Sequence, residues 1–218
     1  MTEQTTQKKY ELLKDDTVEH LGRTLYRIKA LITFGLVGAG QLGGYIETEK
    51  NLDHSGNAWV YDNALVYDDA RVYGNACVYD DAWVYGDARV YGNAQVYGNA
   101  RVFGNAWMCG NARVYAKAWV YGDARVFGNA LVYGDACVYG DAWVYGNACV
   151  YGNARVFGNA WVRSFAVISE RKMIFWASNV GSENGTLTVS NGKFGLIVTR
   201  GCFTGTVDEF LSKSKEVH

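Results

Sequence analysis

A six-residue unit, Ala-x-Val-Tyr-Gly-Asn/Asp, recurs from Ala58 to Ile168 without insertion or deletion. Val stands two positions after each Ala, and Met108 is the one exception before Ile168 closes the series. Within the unit, small, variable, branched and aromatic residues alternate with a period of two, which predicts a four-residue β-strand. The Gly-Asn or Gly-Asp pair that follows supplies the positive φ values of a tight corner.

Repetition of one strand and one corner predicts a coiling solenoid, because hexapeptide repeats build parallel β-helices. Three units would form a triangular coil of about 18 residues, so the nineteen units would form about six coils. Ala and Val are then predicted to point inward. We divide the chain into an N-terminal β cap (1–55), a repeat β-helix (56–169) and a C-terminal hairpin and helix cap (170–218).

The Val-x-x-x-Ala spacing resembles that of the left-handed β-helix hexapeptide-repeat proteins across about half of the chain. Tyr directly after the aliphatic position departs from the acyltransferase members of that family. The repeat motif VYGNA/VYGDA is similar to that of uncharacterised hexapeptide-repeat proteins of phages and prophages. The similarity extends to the flanking segments YELLKDD, GRTLYRIKAL, QLGGYIE and RGCFTGTVDEF. The resemblance implies a left-handed coil and a viral origin, but no established activity.

The N-terminal cap is predicted from Tyr10 to Leu31 as two strands, around Lys14–Asp16 and Leu21–Arg23. A cap is needed because an open coil exposes core residues and unpaired backbone. The run Gly38–Gly43 fits the dinucleotide-binding pattern G-x-G-x-x-G. That chemistry requires the glycines to open a helix within a βαβ unit, whereas this chain continues straight into the solenoid. We therefore interpret the run as a structural loop.

In the C-terminal cap, Lys172–Ala177 is predicted as a strand. Thr186–Ser190 and Lys193–Thr199 flank Asn191-Gly192, which is typical of a two-residue hairpin turn. The spacing of Thr206–Glu209 fits a capping box and predicts a short terminal helix. We interpret both caps as structural, with recruitment of a partner or assembly as the alternative.

Composition excludes several classes of function. A net charge of -1 gives no general attraction to long nucleic acid or to an anionic membrane. Residues 1–9 lack the apolar stretch of a signal peptide, and the run 30–44 is too short and too glycine-rich to span a bilayer. The five cysteines lack the spacings of a zinc site or of a disulfide framework. We expect a protein of the bacterial cytoplasm without cofactor or metal.

Catalysis is not expected. The three histidines, His20, His54 and His218, lie outside the repeat, and the repeat has no loop in which a catalytic site could form. The alternative is an acyltransferase-like enzyme that binds coenzyme A between subunits and depends on His54, which we otherwise interpret as a surface residue. A structural or assembly component is the other alternative.

The variable slot, taken at a spacing of 18 residues, gives one column of outward side chains on each of three faces. We call the face that is richest in Arg and Trp the third face, and it also carries a neighbouring column from the Tyr slot. Its members include Arg71, Arg89, Trp107, Arg125, Trp143, Trp161, Tyr91, Cys109, Phe127 and Tyr145. Aromatic planes beside guanidinium groups suit nucleobases and phosphates.

From this composition we expect a non-enzymatic binding or scaffold protein whose third face captures a nucleotide-like small molecule or a protein of the host. The density of outward aromatic residues also favours self-association into a dimer or trimer, while stabilisation of the sheets is the simpler explanation. Two lapses of the repeat, Met108-Cys109 and Ala116-Lys117, fall in one coil. They predict either tolerated drift or a local site in which Lys117 contacts an anion or a neighbouring subunit.

Overall fold

Each six-residue unit forms one strand and one corner in the computed structural model, which describes residues 8–181 and 183–216. The regular strand contains the variable residue and Val only, so the predicted length of four residues is too long. Hydrogen bonds between coils nevertheless extend beyond it, because the Tyr-slot amide also donates to the next coil, as from Tyr91 N to Met108 O. Gly92, with a φ of 68°, is a typical corner residue.

The strands before the repeat are β1 (Tyr10–His20), β2 (Arg23–Ala30) and β3 (Leu42–Ile46). The repeat strands β4 to β22 are Trp59–Val60, Leu65–Val66, Arg71–Val72, Cys77–Val78, Trp83–Val84, Arg89–Val90, Gln95–Val96, Arg101–Val102, Trp107–Met108, Arg113–Val114, Trp119–Val120, Arg125–Val126, Leu131–Val132, Cys137–Val138, Trp143–Val144, Cys149–Val150, Arg155–Val156, Trp161–Val162 and Val167–Ile168. The C-terminal elements are β23 (Ile174–Val180), β24 (Gly185–Gly192), β25 (Gly195–Arg200), β26 (Phe203–Gly205) and helix α1 (Val207–Glu216). Two single 3-10 turns lie at Glu49–Asn51 and Arg171–Met173.

The repeat strands stack in three parallel sheets, in which each strand pairs with the strand 18 residues away. The first face has seven strands, the third face has six, and β1 to β3 extend the second face to nine. The solenoid has seven coils rather than six, because the first coil begins before the repeat. Tyr45 and Ile46 pair in parallel with β5, and Leu52 bridges to Val72.

The core is the inward column of Ala and Val, as predicted, and these side chains are 0% exposed. Trp59 occupies an outward slot, yet it is completely buried as well. Its ring contacts the edges of Tyr10 and Phe34, since the N-terminal cap folds over this end of the first face.

The N-terminal cap is an antiparallel hairpin of β1 and β2, which turns at Leu21-Gly22 as predicted. Lys14–Asp16 is not a turn, because β1 continues through it with an irregular register between Leu13 and Thr17. The glycine run leads directly into β3, and the backbone of Ala30 bonds to Gly40 and Gln41 on either side. The glycine run therefore forms a loop between strands and does not open a helix.

The predicted turn at Asn191-Gly192 is wrong, because the hairpin of β24 and β25 turns at Lys193-Phe194. The last coil explains the shift. Gly192 bridges to Ala166, and the Lys193 amide donates to the Phe165 carbonyl, so the pair Asn191-Gly192 is held as strand against the end of the solenoid. Helix α1 begins with the predicted capping box, in which Thr206 and Glu209 exchange two hydrogen bonds of 2.7 and 3.2 Å.

Candidate ligand-binding surface

The structure brings the predicted variable-slot residues of the third face into one column. Arg71 lies opposite Arg89, and Arg89 opposite Trp107. The column continues through Arg125 to Trp143, each opposite its predecessor. Trp161 closes the column at the C-terminal end.

Guanidinium groups and indole rings alternate along this column. The Cζ atoms of Arg89 and Arg125 lie 5.2 and 5.0 Å from the ring centre of Trp107. Arg125 also lies 4.9 Å from Trp143, which stacks on Trp161 at 5.2 Å. Both faces of Trp107 are thus covered by cations. A ligand ring cannot stack on it.

The variable-slot arginines of the third face keep their N–H groups available. In residues 8–181 and 183–216, Arg71, Arg89 and Arg125 form no ion pair and no side-chain hydrogen bond, and all three are exposed. Arg71 and Arg89 in addition lie directly opposite each other in neighbouring coils. Like charges in that position destabilise a sheet, so an anion between them would be favourable.

Rings of the Tyr slot form stacked ladders. On the second face the ladder is continuous, with centre-to-centre spacings of 4.8 to 5.3 Å and nearly parallel planes. Its members are Tyr67, Tyr85, Phe103, Tyr121, Tyr139 and Phe157. A ring in the middle of such a ladder offers only its edge to solvent. Stacking of a ligand is therefore restricted to ladder ends and interruptions.

The ladder of the third face has both a free end and an interruption. Tyr73 stacks on Tyr91 at 4.9 Å, and Phe127 stacks on Tyr145 at 4.7 Å, while Cys109 replaces the ring between the two pairs. Among the described residues, no aromatic ring stacks on the N-terminal side of Tyr73. Burial raises the pKa of Tyr73, so its ring is neutral at neutral pH.

That side of Tyr73 borders a cleft of about 520 Å³ between the segment Glu49–His54 and the start of the third face. The lining residues are Glu49, Lys50, Leu52, Asp53, His54, Arg71, Val72, Tyr73 and Arg89. The prediction included Arg71 and Arg89 but missed the opposite wall. The segment Glu49–His54 lies before the repeat and has no periodicity that would place it beside the third face.

His54 is packed, so the interpretation of it as a surface residue is wrong. Its ring stacks on Tyr10 at 4.3 Å, and its Nδ1 accepts the Lys9 amide at 3.2 Å. In the neutral ring, Nε2 then carries the proton, and the nearest carboxylate oxygen of Glu49 is 3.7 Å away. This arrangement leaves no free lone pair for a general base. His218 lies outside the described residues.

Lys117 is separate from the third face. It is exposed at the corner between the first and second faces, next to Ala116 with a φ of 61°. Cys109 lies in the same coil but at a different corner, so the two lapses of the repeat do not form one site.

The C-terminal end of the third face is covered by the cap. Arg163 donates to the Tyr145 hydroxyl at 3.1 Å and to the Phe203 carbonyl. The amide of Trp161 donates to Thr188 Oγ1 at 2.9 Å. These contacts anchor β24 and β26 to the last coil and give this end of the face a structural role.

Comparison with known proteins supports the repeat architecture. The YdcK beta solenoid repeat matches residues 70–86, 94–110, 108–122, 118–134, 124–140 and 148–164. No curated protein matches the chain. The described residues contain no helix long and apolar enough to cross a membrane. From the repeat match and the stacked parallel strands, this chain is a β-solenoid repeat protein.

Proposed function

We propose that the protein is a non-enzymatic, ligand-binding β-solenoid with a left-handed coil, encoded by a phage or prophage. Its ligand is a planar, anionic small molecule of nucleotide type from the host, bound in the cleft at the start of the third face. One observation carries this proposal: Arg71 and Arg89, which lie opposite each other and have no ion-pair partner among the described residues, line the same cleft as Tyr73.

The cleft offers complementary groups to the two parts of a nucleotide. The free side of Tyr73 suits a nucleobase, since stacking on an aromatic side chain contributes about 1–3 kcal/mol per base. The guanidinium groups of Arg71 and Arg89 suit a phosphate. A phosphate accepts paired hydrogen bonds, and between two guanidinium groups it offsets their mutual repulsion. On the opposite wall, Lys50 is a further donor.

The geometry of His54 does not favour acyl transfer. A base for that reaction needs an unprotonated nitrogen within reach of the substrate. The Nδ1 atom already accepts the Lys9 amide, and protonation there would leave that amide without its acceptor. The Nε2 atom is buried, so neither ring nitrogen of His54 is placed to act as the base.

The first test is calorimetric titration of the full chain with AMP, GMP, CMP and UMP. We expect at least one of them to bind, and Arg71→Gln to weaken binding about tenfold, because a hydrogen bond to a charged group contributes about 1.5–3 kcal/mol. Arg113→Gln is the matched control, since Arg113 is an exposed variable-slot residue of the first face. Absence of heat with all four nucleotides, or equal affinities of the two variants, would refute the proposal.

A second variant tests whether the Tyr73 ring contributes to nucleotide binding. Tyr73→Leu keeps an apolar side chain but removes the stacking surface, so affinity for the same nucleotide should fall by about fivefold or more. Tyr133→Leu is its control, because Tyr133 lies inside the ladder of the first face with rings on both sides. Equal binding by both variants would remove Tyr73 from the site.

A further inference from the structure

The third-face ladder lacks one aromatic ring, at Cys109, and the rings on either side define the shape of the gap. Tyr91 lies parallel to Tyr73, with an angle of 3° between the planes, and Phe127 lies parallel to Tyr145, with an angle of 8°. Both rings therefore keep the ladder orientation although Cys109 stands between them. Their opposed faces are two coils apart, or about 10 Å. One planar ring fills this distance, as a Tyr does elsewhere in the repeat.

The backbone register sets the separation of the residues on either side of the gap. The amide of Tyr91 donates to Met108 O at 2.9 Å, and that of Cys109 donates to Val126 O at 3.1 Å, so the coil register is unbroken at the lapse. Met108 fills the core below and is 0% exposed. The Phe127 amide likewise donates to Val144 O at 3.0 Å, so the backbones of Tyr91 and Phe127 are held two coils apart.

Cations flank the gap in the neighbouring column. In the neighbouring column, Trp107 lies beside the gap, and Arg89 and Arg125 lie one coil before and one coil after it. Their guanidinium groups lie against the Trp107 ring, and among the described residues they form no ion pair or side-chain hydrogen bond. Interaction with the Cys109 side chain, followed by burial, raises the pKa of Tyr91 to about 12, so the phenol adds no negative charge.

We propose that the gap at Cys109 is a second binding site of the third face, in which a purine base intercalates between Tyr91 and Phe127 and its phosphate contacts Arg125. The site is independent of the cleft proposed above, because the cleft uses the other end of the Tyr73–Tyr91 pair. A chain with both sites binds two purine mononucleotides.

The test replaces Cys109 with tyrosine, the usual residue at this position of the repeat. Cys109→Tyr restores the consensus ladder, so the variant should fold at least as well as the parent and lose the gap. Cys109→Ser is the matched control, which keeps the gap and removes the thiol. With GMP as the probe in calorimetric titration, we expect the Ser variant to bind like the parent, while the Tyr variant loses one equivalent of GMP and Arg71→Gln retains the binding at the gap.

The outcomes separate the two proposals. If the cleft is not a site, the parent binds one GMP, and Cys109→Tyr abolishes binding while Arg71→Gln does not. Equal stoichiometry and affinity in the Tyr and Ser variants overturn the intercalation site, whatever the cleft does. Phe127→Ala gives a second reading that does not depend on the Tyr variant: it should weaken the gap site about tenfold, whereas Phe103→Ala on the second face should leave it unchanged.

Discussion

The aromatic side chains of the repeat contact mainly one another. Ring faces inside a ladder are used by neighbouring rings, and those of Trp107 are used by arginines. An Arg or Trp in the third-face column therefore has a role that depends on its neighbours. Arg125 is stacked between two indole rings, whereas Arg71 lies opposite another arginine. Composition alone predicted the column but gave no order of importance within it.

Lys9 is a residue whose charge opposes folding. Its side chain is 1% exposed and donates from Nζ to the Ala58 carbonyl at 2.9 Å, with the Phe34 ring 4.9 Å away. Burial lowers the pKa of Lys9 to about 8 from its ordinary value of 10.5. Between these values the unfolded chain binds more protons than the folded chain, so stability rises with pH.

We therefore predict that the free energy of unfolding of the parent increases from pH 7 to pH 9.5 relative to that of Lys9→Met, which has no charge to lose. Urea unfolding at several pH values within this window measures the difference. Lys8→Met is the control, because Lys8 is an exposed partner of Glu49. Parallel pH profiles of the parent and Lys9→Met would show that the ammonium group is not desolvated in the folded state.

At the scale of elements, the corners differ in how they are stabilised. Six asparagines at the corner between the third and first faces form a chain in which each Nδ2 donates to the next Oδ1, at 2.9 to 3.2 Å. They are Asn57, Asn75, Asn93, Asn111, Asn129 and Asn147. The corner between the first and second faces lacks this continuity, since Lys117 and Asp135 interrupt its column.

Asn111→Ala removes two bonds from the middle of this chain. At about 0.5 kcal/mol for each exposed bond, we expect a loss of roughly 1 kcal/mol in the free energy of unfolding. Asn99→Ala is the control at the corner between the first and second faces, where the Asn99 side chain has no hydrogen bond among the described residues. Equal melting temperatures of the two variants would show that the asparagine chain is too solvated to contribute.

The repeat strands, their inward residues and the pairing at 18 residues follow from sequence, because every unit repeats one set of local preferences. The cap elements depend on contacts with the last and first coils. Asn191-Gly192 has strong turn preferences, yet pairing with the open end of the solenoid overrides them. Likewise, Trp59 occupies an outward slot and is buried because Phe34 and Tyr10 fold over it. The cleft could not be predicted for the same reason, since one of its walls belongs to no repeat.

For the whole molecule, the distribution of exposed apolar side chains bears on self-association. The sequence predicts a dimer or trimer from the outward aromatic residues of the repeat, but most ladder rings are only partly exposed because they stack. The most exposed apolar side chains lie on the caps and the loops next to them. At the C-terminal end, Phe194 is 82% and Phe175 61% exposed, and Leu196 lies between them with Phe165 nearby.

An apolar patch of this kind is typical of an interaction surface. We therefore expect self-association to occur end to end through the C-terminal caps, which would leave the third faces of both copies open to ligand. Phe194→Ser should shift the native mass, measured by light scattering, from an oligomer to a monomer at micromolar concentration. It should leave nucleotide binding unchanged, because Phe194 is on the cap and not on the third face. Leu36→Ser, in the exposed loop at the opposite end of the molecule, is the control. An oligomer that is lost with Leu36→Ser but retained with Phe194→Ser would place the interface at the N-terminal cap instead.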